Sequence, residues 1–113
     1  MLLTSDLIRG HTETIILARL FKKDSYGYEI NKAVAENSGD AYELKEATLY
    51  SAFRRLEEGG FISSYWGDET TGARRRYYKI LPRGIILYKK NRDEWEGMKE
   101  LIDKLIETED KAQ

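Results

Sequence analysis

The sequence predicts a mainly α-helical chain with one small β-hairpin, an α+β class, and three observations carry that prediction. Apolar residues recur at helical spacing in four separate stretches, beginning near the amino terminus and ending in the last quarter of the chain. One short stretch, Phe61 to Trp66, alternates as a strand does, and Tyr77, Tyr78 and Ile80 supply a partner strand across Gly67 to Gly72. The chain has 113 residues and no cysteine, so it forms one small unit without disulfides or thiolate metal sites.

The first stretch, MLLTSDLIRGHTETIILARLF, shows helical periodicity through Leu7, Ile8, Ile15, Ile16, Leu20 and Phe21. It lacks a charged leader and a small-residue cleavage site, which predicts mature structure and a cytoplasmic protein. No segment reaches the roughly 20 apolar residues that span a bilayer. A second helix is predicted over Ser25 to Asn37, capped by Asp24 or Ser25, with Ile30, Ala33 and Val34 inward and Asn37-Ser38-Gly39 as its stop. Tyr26 and Tyr28 stand at its start, where a hydroxyl beside backbone amides can hold a phosphate; aromatic packing under the hairpin is the competing reading. Tyr42 to Leu44 is a candidate third strand against the hairpin.

A third helix follows from Glu46 to the stop at Gly59-Gly60. Leu49, Phe53 and Leu56 fall on one side of it, while Thr48, Ser51 and Arg55 project from the other, with Lys45, Tyr50 and Arg54 beside them. Arginine can fork onto guanine, hydroxyls serve base edges or phosphates, and the small Ala47 and Ser51 permit close approach to a major groove. An ordinary solvated helix face is the bland alternative. Tyr50, at the flank, suits a phosphate more than a base. In the hairpin, Arg74, Arg75 and Arg76 stand side by side at the root of the loop, with Thr71 and Gly72 shaping its tip. Three adjacent cations repel unless an anion faces them, and a phosphate backbone or a minor groove supplies one. The alternative is a solvated strand end balanced by Asp68 and Glu69.

A groove helix followed at once by a two-stranded wing is the winged variety of helix-turn-helix. The residues also resemble the PadR family of transcriptional regulators: LIRGHTETIILARL at Leu7 to Leu20, SYGYEI at Ser25 to Ile30, ATLYSAFRRLEEGGFI at Ala47 to Ile62 and RRRYYKI at Arg74 to Ile80, in that order. The length resembles the short subfamily, which has a single C-terminal dimerisation helix. One departure is Leu81-Pro82-Arg83-Gly84, where the family starts its last helix with threonine; Pro82 fits a first helical turn without loss.

From Arg83 to Thr108 the pattern is helical, with Tyr88, Asn91, Trp95, Met98, Ile102 and Leu105 at alternating intervals of three and four, flanked by Leu101 and Ile106. A lone helix would expose most of that stripe, so it predicts a partner, unless the helix folds back on its own chain. This gives residues 1–82 as the DNA-binding part and 83–113 as dimerisation helix and acidic tail. The resemblance implies a homodimer in which Tyr88, Trp95, Met98, Leu101, Ile102 and Leu105 pack on the partner's first helix, which offers Leu7, Ile8, Ile15, Ile16, Leu20 and Phe21. It further implies a repressor on double-stranded DNA with a pseudo-palindromic operator. A small planar aromatic effector is also implied, and Trp95 with Met98 could stack it.

Net charge is −1, yet residues 1–92 hold 16 Lys and Arg against 12 Asp and Glu, whereas residues 93–113 hold 3 against 8. The acidic excess therefore lies in the tail, and screening over about 10 Å at ordinary salt decouples it from the basic body. Catalysis has no constellation: His11 is the single histidine and no nucleophile motif surrounds it. No metal-ligand spacing or phosphate loop appears, so neither a metal nor another cofactor is predicted. The rival to a DNA reader is a winged-helix module that binds another polypeptide.

Overall fold

The computed structural model describes residues 8–68 and 74–107. A 3-10 turn (Arg9–His11) leads into α1 (Thr12–Lys22), followed by β1 (Ser25–Tyr26), α2 (Gly27–Asn37), α3 (Glu46–Glu58), β2 (Ile62–Trp66), β3 (Arg76–Ile80) and α4 (Pro82–Ile106). The strands form one antiparallel sheet in the order β1-β3-β2, with Ser25 opposite Tyr78 and Ile62 opposite Ile80. This is a winged helix-turn-helix: α2 and α3 with the β2–β3 wing behind them.

The core forms where the helical apolar faces meet the inner face of the sheet. Ile16, Leu17 and Leu20 of α1, Ile30 and Val34 of α2, and Leu49, Ala52, Phe53 and Leu56 of α3 close on Ile62 and Tyr78. Phe53 stacks on Tyr78 with centroids 3.8 Å apart and rings 14° from parallel, which ties the third helix to the wing. Burial pushes the Tyr78 phenol above its ordinary range, because the charged form would lose water.

Local chemistry ends the helices where expected. Gly60, at φ +77°, closes α3: its amide donates to Glu57 O at 3.0 Å and the Phe61 amide to Leu56 O at 2.9 Å, a Schellman arrangement. Gly39 and Asp40, at φ +60° and +64°, turn the chain after α2. The segment from Ala41 to Lys45 is fixed from α2 by Asn31, whose Nδ2 donates to Leu44 O at 2.7 Å while Oδ1 accepts from the Leu44 amide at 3.0 Å.

Two expectations are corrected here. The third strand is Ser25–Tyr26 and not Tyr42–Leu44, whose backbone is engaged by Ser38 Oγ at Tyr42 and by the Asn31 amide at Leu44. Accordingly α2 begins at Gly27 and neither Asp24 nor Ser25 caps it; the Ser25 hydroxyl donates to Lys23 O at 3.2 Å and Tyr26 keeps extended backbone, φ −110° and ψ 168°. Pairing with β3 satisfies more backbone groups than a cap would.

Pro82 occupies the first turn of α4. The start of α4 is locked to the wing by the Leu81 amide, which donates to Phe61 O at 3.0 Å. Farther along, Tyr88 stacks on Phe21 at 5.0 Å, Asn91 Nδ2 donates to Thr14 Oγ1 at 2.9 Å, and the Trp95 ring meets His11 edge-on at 4.8 Å. The first half of α4 thus packs on α1 of its own chain. The remainder runs out along a molecule 68 Å in its longest dimension, leaving Met98, Leu101, Ile102, Leu105 and Ile106 exposed. A further correction concerns α1: Ile16 and Leu20 lie in the chain's own core and offer a partner little, whereas Phe21, stacked on Tyr88 on one face, remains 44 % exposed. Ile8 and Ile15 are half-buried, and Leu7 lies outside the described residues. No helix of the described residues is long and apolar enough to cross a membrane.

Candidate nucleic-acid interface

The polar face of α3 follows from the burial of the other. With Leu49, Ala52, Phe53 and Leu56 sealed in the core, helical geometry turns Lys45, Thr48, Arg54 and Arg55 outward; all four are exposed and Ser51 is half-buried. A groove of about 710 Å3 runs beside this face, with Arg9 and Thr12 on one wall and Lys45, Thr48, Ser51 and Arg55 on the other; Glu43 sets a carboxylate among them.

Arg55 is held in this groove. Its Nε donates to Glu13 Oε2 at 2.8 Å and its Nη1 to Ser51 Oγ at 3.0 Å. Tyr50 stands at the flank, as the sequence predicts, with its ring edge on Phe53 at 5.4 Å. Its hydroxyl lies over Gly27, where an added Cβ would come within 2.6 Å, so glycine there makes room for the tyrosine.

The three wing arginines do not act as one cluster. Arg74 lies over the Trp66 ring at 5.2 Å and Arg75 over Tyr26 at 4.9 Å. Arg76 folds back onto α3: its Nη2 reaches Glu57 Oε1 at 3.3 Å and its Nε donates to Ser64 Oγ at 3.0 Å, while Ser64 Oγ donates to Glu57 Oε2 at 2.6 Å. The anion facing Arg76 is thus Glu57, a carboxylate on the preceding helix. Thr71 and Gly72, expected at the wing tip, lie outside the described residues, as does Glu69.

On the outer face of the sheet, tyrosines form a row: Tyr65 stacks on Tyr77 at 5.6 Å, Tyr77 meets Tyr26 edge-on at 5.4 Å, and Tyr26 lies 6.4 Å from Tyr28. Tyr26 therefore packs under Arg75, whereas Tyr28 is 69 % exposed. Tyr65 donates its hydroxyl to Asp24 Oδ2 at 2.6 Å, and that bond to a carboxylate pushes the phenol up to about 12.

Sequence reading missed Glu13, Glu57, Asn31 and Gly27, each of which positions a residue of this face. Glu13 and Glu57 left no local signal, since their partners are 42 and 19 residues away. Gly27 sits inside the SYGYEI motif, which was the available hint.

A core-anchored helix with a hydroxyl- and arginine-bearing face, set beside an arginine-bearing wing, defines a winged-helix DNA-binding protein. The chain belongs to the PadR family: residues 16–90 match the Transcriptional regulator PadR-like family. A transcriptional regulator from Clostridium thermocellum is 50 % identical and superposes with a TM-score of 0.85 over 94 % of this chain and 100 % of its own. A PadR family transcription regulator from Clostridium difficile is 35 % identical, TM-score 0.76, over 86 % of this chain and 99 % of its own. An uncharacterized protein of Lysinibacillus sphaericus is 42 % identical over 103 residues, 91 % of this chain and 94 % of that one. The protein is thus a transcriptional regulator whose family acts through DNA.

Proposed function

We propose that this regulator is a cytoplasmic, homodimeric repressor that reads a pseudo-palindromic operator and is released by a small planar aromatic compound. The observation that carries the reading is the division of α3: one side is wholly buried, and the other exposes Lys45, Thr48, Arg54 and Arg55 beside the wing. Lys45, Thr48, Ser51, Arg54 and Arg55 enter the major groove, and Tyr50 and Tyr26 contact phosphates. Arg74 and Arg75, with Thr71 and Gly72, grip the flanking backbone or minor groove; Arg76 joins them by leaving Glu57.

Dimerisation is supported by the distal half of α4. Trp95, Met98, Leu101, Ile102 and Leu105 are each 42–69 % exposed along one stripe, which water tolerates poorly and a second copy would cover through Ile8, Ile15 and Leu7. Residues 1–82 would then carry the DNA contacts and 83–113 the dimer contacts, although Tyr88 spends one face of its ring on Phe21 of its own chain. Trp95 and Met98, 44 % and 46 % exposed, offer the effector a flat stacking face and a flexible neighbour.

The test is fluorescence anisotropy with the duplex upstream of the protein's own gene and a scrambled duplex of equal length, at several salt concentrations. Tight, sequence-preferring binding that falls steeply with salt supports the reading. Absence of binding at low salt refutes it and favours a polypeptide partner. Tryptophan fluorescence with flat aromatic compounds tests the effector site: equal quenching of wild type and Trp95→Phe removes it.

A further inference from the structure

The reading helix is touched from outside the helix-turn-helix at Arg55. Glu13, in the first turn of α1, spans 42 residues of sequence to accept the Arg55 Nε–H at 2.8 Å, and Ser51, one turn earlier on α3, accepts from Nη1 at 3.0 Å. A guanidinium has five N–H donors in a plane. Two are taken here, which leaves both on Nη2 and one on Nη1.

We infer that Glu13 is a positioning residue for sequence reading: it fixes the Arg55 guanidinium so that its distal edge faces guanine O6 and N7 in the major groove. The inference rests on the reading of α3 given above and deepens it by assigning guanine recognition to Arg55. An unbraced arginine on an exposed helix samples many rotamers and serves any nearby phosphate. Two braces from different elements remove that freedom before DNA arrives, and a carboxylate leaves the guanidinium charge in place while choosing which edge is presented. Glu13 lies outside the buried core, its side chain 36 % exposed against 54 % for Arg55, so its substitution leaves the core untouched. A carboxylate beside DNA is electrostatically unfavourable, and its presence at 2.8 Å from a groove-facing arginine needs a compensating role.

The experiment begins with a duplex selected from a random library by the wild-type dimer, then measures anisotropy on that duplex and on versions with each G·C pair replaced in turn. The proteins are wild type, Glu13→Gln, Arg55→Lys and the double variant, with thermal melts as a check on folding. Arg55→Lys keeps the charge but cannot fork, so it loses discrimination at one G·C position by roughly tenfold or more. Glu13→Gln is expected to lose discrimination at that same position by roughly five- to tenfold while its affinity for scrambled DNA holds or rises, since a negative charge has gone. In the Arg55→Lys background, Glu13→Gln is expected to change nothing at that position. Glu13→Gln with full discrimination and tighter binding to every duplex overturns the inference, because Glu13 would then only mask a charge. An equal effect of Glu13→Gln with and without Arg55 overturns it too. Either result leaves the DNA-reading function standing, whereas a wild type that enriches no duplex removes that function and this inference together.

Discussion

Gly84 and Gly97 lie on the same helix, and the same substitution is expected to move stability in opposite directions at the two. In a helix interior, Gly→Ala stabilises by about 1 kcal/mol through propensity and unfolded-state entropy. Gly97 has nothing within 4 Å of an added Cβ, so Gly97→Ala collects that gain. Gly84 is buried in the first turn of α4, where a methyl group would overlap the Phe61 carbonyl oxygen and stand 2.8 Å from Ile80 Cγ1. The carbonyl is backbone and cannot rotate aside; it also accepts the Leu81 amide at 3.0 Å, the bond that fixes α4 to the wing. Overpacking costs about 1–3 kcal/mol and a strained or lost hydrogen bond about 1 more, which together exceed the propensity gain. Gly84→Ala is therefore expected to lose about 1–3 kcal/mol, or roughly 4–13 °C in Tm for a chain of this size. Urea unfolding followed by circular dichroism, with all variants at one protein concentration because dimerisation would couple stability to concentration, reads both signs. A Gly84→Ala protein as stable as wild type would refute the reasoning, since α4 would then not sit on Phe61 as described.

Three further outcomes follow from the geometry. Arg74→Ala is expected to lower the salt slope of DNA binding by about 0.9, whereas Arg76→Ala, whose side chain is spent on Glu57 and Ser64, lowers it less; anisotropy across a salt series checks this, and equal slopes for the two would count against the assignment. Tyr65 is expected to titrate near 12 in ultraviolet spectrophotometry and to return toward 10.0 in Asp24→Asn. The folded-state value is raised, so this contact's stabilisation is complete below pH 10 and is lost as pH climbs toward 12; the Asp24→Asn protein should lack that component, and an unshifted Tyr65 in wild type would exclude the bond. Ile102→Asp with Leu105→Asp places charges on the exposed α4 stripe, so sedimentation should show a monomer that keeps the wild-type circular dichroism spectrum, and a persisting dimer would place the interface elsewhere.

What the sequence disclosed and what it withheld divide along sequence distance. The α3 faces and its Gly59-Gly60 stop were legible because helical period and left-handed caps are local: Leu49, Phe53, Leu56 and Gly60 each act within a turn or two of their neighbours. The wing was legible for the same reason, since alternation over Ile62 to Trp66 is a property of five consecutive residues. The start of α2 was not, because Ser25 satisfies the local requirement for a cap and only its pairing with Tyr78, 53 positions on, makes it a strand. Periodicity likewise marks Ile16 and Leu20 of the first helix as apolar, and so as open to a partner, but it gives the face and not whose core that face fills. The arginines show the same limit most sharply. A run of three reads as one cationic cluster, yet backbone alternation sends Arg76 toward Glu57 and Ser64 while Arg75 lies over Tyr26, and Arg55 is governed by Glu13 on another helix. Sequence thus names the charges available to a DNA-binding surface, and the tertiary fold decides which of them are oriented by a carboxylate.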